Sequence, residues 1–424
     1  MKPPLIFNLF QRLVGPTTRW MEHARRARAM EFNWLYLNPW HYPGFSGSLY
    51  APKEFRRLNP LFLPAGADDH SLEPLRHFLR EAREIGLPVM MDLLVNHTSK
   101  DSPLVEEHPS WYLRDARGSL VSPSVTDPDD PARVTVWGDL AEIDNAGSQD
   151  RENLWEFWAA LVRESVEMGF AGFRCDAAYM VPAGLWRHLI GQARSIDPGV
   201  TFFAETLGAP ERAVLALREA GFDYFFNSSK WWDFREKWAL VQHERFGAIA
   251  PSISFPETHD TARVAGESGG DEAVQRQRYA FAAAFSAGLM MPLGYEFGFR
   301  KQVSVVETMP TDWERKSFDI TSFITRVNRL KLEHPVLQGE GHLAAHTGVE
   351  GDVLVLERRG RGSRPGFILV NRSTNSPVTV DLTRFNGTAG LKLFRPCLED
   401  PAEGPADPAA VRLERADVVY LLPS

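Results

Sequence analysis

The chain has 424 residues, 44% hydrophobic and 24% charged, which fits an ordinary soluble globular protein with room for one large domain and one or two small ones. A formal net charge of −8 argues against nucleic acid as a partner, because binding a polyanion draws on clustered Lys and Arg. Cys175 and Cys397 are the only cysteines and sit in neither a metal-binding nor a redox spacing, so free thiols in a reducing, cytoplasmic setting are expected.

The first fifteen residues, Met1 to Gly15, lack the apolar core of a signal peptide. Short apolar runs then recur with amphipathic stretches between them, the pattern of parallel strands covered by helices. The runs are Pro4–Leu9, Trp34–Leu37, Val89–Leu93, Gly172–Cys175, Thr201–Ala204, Phe222–Phe226, Ser252–Phe255 and Leu289–Leu293. Eight of them predict an α/β fold, a (β/α)8 TIM barrel. The uncharged stretch from Tyr279 to Tyr295 approaches membrane-spanning length, but Gly288, Pro292 and Gly294 divide it. It reads as a buried helix followed by a buried strand, and no membrane association is expected.

Residues 98–150 form a Pro-, Asp- and Ser-rich insert after the third strand, including the turn-rich run Asp127–Pro128–Asp129–Asp130–Pro131. An insert of that length is more often functional than idle, and it is expected to overhang the active face. The barrel therefore spans 1–97 and 151–338. Beyond it, 339–424 carries alternating runs at Val353–Leu356, Gly366–Val370 and Val378–Leu382, which predict a C-terminal antiparallel β-sandwich. The Ala402 to Ala410 segment reads as a solvated loop.

Catalytic groups of such barrels sit at the C-terminal ends of strands. Four strand ends are polar there: Asp92–Leu93–Leu94–Val95–Asn96–His97, Gly172–Phe173–Arg174–Cys175–Asp176, Phe202–Phe203–Ala204–Glu205 and Phe255–Pro256–Glu257–Thr258–His259–Asp260. One such Asp often caps the next helix, and one such His is usually structural. Acidic residues at the ends of strands four, five and seven are harder to dismiss together. Retaining cleavage of a glycosidic bond needs a carboxylate nucleophile and a carboxylic acid about 5–5.5 Å apart, and neighbouring strand tips can deliver them. Arg174 shares a side of its strand with Asp176 by the period-two rule, so its charge favours an ionised nucleophile. Glu205 has to be protonated to donate, and close carboxylates would raise its pKa.

In this order, the four segments resemble the signature regions of the α-amylase family, glycoside hydrolase family 13. Gly138–Asp139–Leu140 is similar to the short motif that members carry in the insert. The resemblance implies a retaining hydrolase or transglycosylase acting on α-1,4-glucans or maltooligosaccharides. It implies Asp176 as nucleophile, Glu205 as acid/base and Asp260 as the transition-state carboxylate. It further implies His97 and His259 as donors to the sugar, Arg174 as the group orienting Asp176, and Arg263 as a contact to the next sugar. Tyr50 matches the residue that stacks under the sugar, although its neighbours Leu49 and Ala51 depart from the family pattern. No cofactor is implied as required. In many relatives the residues matching Asn96 and Asp139 hold a calcium ion, and oxygen donors suit calcium.

The flanks add a second likeness. His108–Pro109–Ser110–Trp111–Tyr112, Gly294–Tyr295–Glu296 and the run from Asp319 to Gln338 are similar to bacterial maltosyltransferases that extend α-1,4-glucan from maltose 1-phosphate. Asn96–His97 and His259 follow the ordinary amylase pattern instead. The aromatic residues Trp40, His41, Tyr42, Trp137, Trp231 and Trp232 fall in predicted loops, where a flat ring can stack on a pyranose or pack against a helix. The sequence singles out none of them.

Overall fold

The apolar runs become strands buried on nearly every residue, as parallel strands sandwiched between an interior and a layer of helices must be. These are β1 (Leu5–Leu9), β2 (Trp34–Leu37), β3 (Val89–Leu93), β4 (Gly172–Cys175), β5 (Thr201–Glu205), β6 (Tyr224–Phe226), β7 (Ser252–Ser254) and β8 (Gly288–Pro292). Every neighbouring pair is parallel, and β1 pairs with both β8 and β2, which closes the barrel. The computed structural model describes residues 2–126, 132, 134–347, 351–360, 364–383, 385–398 and 404–423; the Asp127–Pro131 run lies outside them.

A helix follows each strand: α1 (Trp20–Ala29), α2 (Glu73–Glu84), α3 (Arg151–Met168), α4 (Ala183–Ile196), α5 (Glu211–Leu215), α6 (Trp238–Gly247), α7 (Glu272–Phe285) and α8 (Thr321–Glu333). Local signals set their ends. Asp271 caps α7 by accepting from the Ala273 amide at 2.9 Å, and Gly169 ends α3 at a φ of 120°, open to glycine.

Period-two alternation divides the strands into two faces. Ile6, Tyr36, Met90, Phe203, Phe226, Ile253 and Met290 fill the barrel interior, while Phe7, Leu35, Met91, Phe202 and Leu289 pack outward on the helices. Following the inward parity to the strand ends leads from these apolar layers to Asn8, Asn38, Asp92, Arg174 and Glu205. The interior is thus sealed by hydrophobic side chains below and presents polar ones at its mouth.

The insert after β3 is built on short antiparallel pairs, His97–Ser99 with Leu140–Glu142 and Ser124–Thr126 with Val134–Val136. In the C-terminal region a six-stranded antiparallel sheet faces a two-stranded one, Val378–Val380 with Val411–Leu413. Alternation again assigns the faces. Leu354, Leu356, Ile368, Val370, Tyr420 and Leu422 pack toward the barrel, and Val353, Val355, Phe367, Leu369, Val419 and Leu421 pack between the two sheets. One expectation is corrected here. Within the supposed Ala402–Ala410 loop, Gly404–Pro405 pairs with Lys392–Leu393 as an edge of the large sheet, a position that Pro tolerates.

Candidate functional site

The register of β4 against β3 sets Arg174 beside Asp92, and both side chains point into the barrel mouth. Arg174 Nη1 donates to Asp92 Oδ1 at 2.8 Å and to Asp176 Oδ1 at 2.6 Å. One buried guanidinium therefore bridges a fully buried carboxylate and a strand-tip carboxylate. Asp92 also accepts from the Tyr36 hydroxyl at 2.5 Å and from the Tyr50 hydroxyl. Burial pushes the Asp92 carboxyl up, and Arg174 opposes that shift.

Glu205 ends β5, the strand next to β4. It accepts from the Ala177 amide at 3.1 Å and from the Leu207 amide at 2.5 Å. Its carboxyl is pushed up to about 7, first by burial and then by the charges of Asp176 and Asp260, with Arg174 working against them. The neighbouring carboxylates thus act as expected, but desolvation is the larger cause. Burial and the Glu205 and Asp176 charges also push the Tyr179 hydroxyl upward.

Asp260 follows β7, and its side chain is 50% exposed, open to solvent where the other two carboxylates are mostly enclosed. Burial of its surroundings pushes the carboxyl up, yet His259 at 3.0 Å wins and holds it below its usual value. The His259 ring stacks on Tyr50 with centroids 5.4 Å apart, and its Nε2 lies 2.7 Å from the Tyr50 hydroxyl. His97 Nε2 donates to the Tyr50 carbonyl at 2.8 Å. The Nε2 atoms of both histidines are thus engaged with Tyr50, where the family resemblance implies donation to a sugar.

Tyr50, His97, Arg174, Asp176, Glu205, His259 and Asp260 consequently belong to one connected set. Arg263 does not. It is 2% exposed and donates to Glu257 Oε1 at 2.6 Å and to the Leu293 carbonyl at 3.0 Å. Glu257, in the same loop, takes the guanidinium, so Arg263 sits in a buried ion pair apart from the connected set. The loop aromatics divide similarly. Trp40, His41 and Trp232 are buried, Tyr42 lies under the Arg57 guanidinium, and Trp137 and Trp231 remain exposed.

Asp92, Tyr36, Ala177 and Leu207 were not among the expected site residues. Counting inward parity along β2 and β3 would have found Tyr36 and Asp92. The amides of Ala177 and Leu207 carry no side-chain signal.

For calcium, Asn96 Oδ1 is buried without a hydrogen-bond partner among the described residues, and Asp139 is half-buried. Calcium takes six to eight oxygens. No group of three or more His, Cys, Asp or Glu side chains converges among the described residues. These two side chains are fewer than the oxygens calcium takes.

The chain is thus a closed parallel barrel with carboxylates and a guanidinium at its mouth. Residues 5–115 match the glucanotransferase domain of glycogen debranching enzyme. The α-1,4-glucan:maltose-1-phosphate maltosyltransferase of Burkholderia pseudomallei is 27% identical over 380 residues, covering 85% of this chain and 32% of that protein. The enzyme of the same name from Myxococcus xanthus is 27% identical over 68% of this chain and 44% of its own length. The chain thus spans less than half of either of these relatives. Among solved structures, an α-amylase from H. orenii superposes with a TM-score of 0.77 at 16% identity over the whole of both chains. One from Lactobacillus plantarum gives 0.74 at 22% identity, over 99% of this chain and 98% of that one. Fold and ordered signatures together carry the resemblance to the α-amylase family, and the sequence relatives add similarity to maltosyltransferases.

Proposed function

We propose that the chain is an α-amylase-type enzyme that cleaves or transfers α-glycosidic linkages of α-1,4-glucans or maltooligosaccharides with retention, through a glycosyl ester on Asp176. One observation carries this reading. Two carboxyls on adjacent strand ends have opposite environments: Asp176 is ion-paired to Arg174, while Glu205 is half-buried without a cation of its own and pushed up to about 7. Such a pair separates nucleophile from proton donor.

In this reading, Glu205 protonates the glycosidic oxygen as an Asp176 oxygen attacks the anomeric carbon. The C–O bond to the leaving group breaks and an ester forms. Glu205, now a carboxylate, then takes a proton from water or a sugar hydroxyl, which displaces Asp176. Asp260, ionised and open to solvent, supports the positive charge that develops on the ring. Tyr50, His97 and His259 shape the floor of the sugar site. A non-catalytic barrel is disfavoured because Asp176, Glu205 and Asp260 are all present and connected. No helix of the described residues is long and apolar enough to cross a membrane.

A second reading rests on the named activity of the sequence relatives: maltosyl transfer from maltose 1-phosphate to an α-glucan. Incubation with maltoheptaose, and separately with maltose 1-phosphate and glycogen, distinguishes them. Shortened or redistributed maltooligosaccharides support the first reading, and phosphate release that depends on glycogen supports the second. Wild type inert in both assays, and indistinguishable from Asp176→Asn, rules out glycoside chemistry.

A further inference from the structure

A cleft of about 450 Å³ opens between the loops that leave β6 and β7, the first half of α7 and the C-terminal region, where Thr374 forms part of its wall. Its charges do not balance. Two carboxylates line it, and each is taken by a cation of its own: Glu267 lies 3.1 Å from Lys230 Nζ, and Asp271 accepts from Arg415 at 2.6 Å. Arg278, which lines the cleft from the second turn of α7, is the cation left over.

Arg278 Nη1 donates to the Trp232 carbonyl at 2.7 Å, and the guanidinium lies 4.4 Å from the centre of the Phe234 ring. A carbonyl and a ring face hold the group in place without neutralising it. Among the described residues no carboxylate forms an ion pair with it, and its Nε and Nη2, which share the other edge of the guanidinium, have no acceptor and are not sealed from solvent. Burial pushes the guanidinium below its usual value, as expected of a charge whose surroundings do not fully offset its desolvation.

An arginine edge of this kind is a fork for an oxyanion, since two parallel N–H groups match two oxygens of a phosphate or a carboxylate. Lys230 adds a second cation. Its side chain is 4% exposed whereas that of Glu267 is 54% exposed, so Glu267 can swing into solvent and leave the ammonium to a ligand at little cost. Two cations together favour a doubly charged group over a singly charged one. The cleft is larger than one phosphate, and the half-exposed Trp231 indole on its wall offers a flat face to whatever carries that group.

We infer that this cleft is an anion site, which binds a phosphate monoester with its phosphate on Arg278 and Lys230 and its organic body against Trp231. The site uses none of Asp176, Glu205 and Asp260, and so stands apart from the proposed glycoside chemistry.

Calorimetric titration of the full chain with phenyl phosphate, inorganic phosphate and benzoate separates the ligand classes. Phenyl phosphate is expected to bind most tightly, and less so as NaCl rises from about 50 to about 200 mM. Arg278→Met is expected to weaken it about ten-fold, and Glu267→Gln, an exposed change that frees Lys230, to strengthen it about three-fold. Trp231→Ala should weaken phenyl phosphate and leave inorganic phosphate unchanged. Absence of phenyl phosphate binding in wild type overturns the site, as does unaltered affinity in both Arg278→Met and Glu267→Gln. Benzoate binding as tightly as phenyl phosphate overturns the assignment to phosphate, and inorganic phosphate binding as tightly overturns the ester. Should Arg278→Met fail to fold, Arg278→Lys replaces it: that variant keeps the charge but loses the fork, and is expected to bind phenyl phosphate about three-fold more weakly, with undiminished affinity overturning the role of the guanidinium.

Discussion

The amide of Ala177 donates to Oε2 of Glu205 at 3.1 Å, so the residue that follows Asp176 grips the carboxyl on the adjacent strand. Ala177 has a φ of 41°, in the left-handed region that side chains other than glycine enter at a cost. The turn after β4 thereby fixes both carboxyls at once. Asp176 is held through Arg174 from its own strand, and Glu205 through backbone amides from either side.

Glu205 is the group whose titration should govern activity. A carboxyl raised to about 7 from an ordinary value of 4.5 is protonated, and able to donate, below that pH. As pH rises through about 7 the proton is lost, and kcat/KM on maltooligosaccharides should fall about ten-fold per pH unit. Stability follows the same sign. The folded carboxyl binds its proton more tightly than the unfolded chain does, so its contribution weakens as pH rises between the two values. Glu205→Gln should lower kcat on natural linkages about 10²–10⁴-fold and remove the alkaline limb of what remains. On an activated aryl or fluoride donor the first step should suffer less. Equal losses on both donor types, or a wild-type profile flat between about pH 6 and 8, would count against Glu205 as the acid.

Asp176→Asn should stop turnover, lowering kcat by at least about a thousand-fold, while the protein still unfolds cooperatively. Asparagine keeps an oxygen near Arg174, which Asp176→Ala would leave with Asp92 alone inside a buried site. The alanine variant should therefore lose stability as well as activity. Chemical denaturation of the two variants side by side measures the difference. Equal midpoints would mean that the ion pair at 2.6 Å contributes little to the fold.

Sequence legibility followed a physical line through these residues. The barrel strands were readable because parallel strands buried on both faces show as unbroken apolar runs, and each run matched a strand to within two residues. Arg174 with Asp176 was readable because two residues on one strand share a face. The inward position of Asp92 was readable by parity, but its partners were not, because Tyr36, Tyr50 and Arg174 come from three separate segments that only barrel closure unites. The partner of Arg263 was not readable, because a cation near a catalytic loop has the same appearance in sequence whether it faces a ligand or an internal carboxylate. Here Glu257, six residues earlier, takes it inward.

That difference can be measured. Arg263 and Glu257 are both buried, and Glu257 also accepts from the Val264 amide at 2.6 Å, so the pair ties together the two ends of the loop that carries His259 and Asp260. Arg263→Met should destabilise the protein by about 3–5 kcal/mol, because it leaves a buried carboxylate without its counter-charge. Double replacement with Glu257→Leu should recover part of that loss. A variant that keeps wild-type stability but shows a raised KM for maltooligosaccharides would instead return Arg263 to the sugar site.

A second buried cation holds the C-terminal sheet to the barrel. Arg358 is 1% exposed, and its guanidinium donates to the Phe285 carbonyl at 2.6 Å, to the Val336 carbonyl at 2.7 Å and to the Gly339 carbonyl. These acceptors belong to the end of α7 and to the segment linking α8 to the sheet, so one side chain ties three pieces of backbone together. Burial pushes the guanidinium down to about 10, with Glu340 opposing, which still leaves it charged at neutral pH. Arg358→Met would bury three carbonyls without donors, at about 1–3 kcal/mol for each. The expected outcome is a lower denaturant midpoint and faster proteolysis near residues 338–342, while kcat at a temperature where the protein stays folded is retained, because the barrel mouth lies at the opposite end of the strands from Phe285. Arg358→Lys, with a single ammonium that cannot span three acceptors, should recover less than half of the lost stability. An Arg358→Met protein as stable as wild type would show that water or a backbone shift satisfies those carbonyls, and that the apolar face formed by Leu354, Leu356 and Tyr420 suffices to hold the sheet in place.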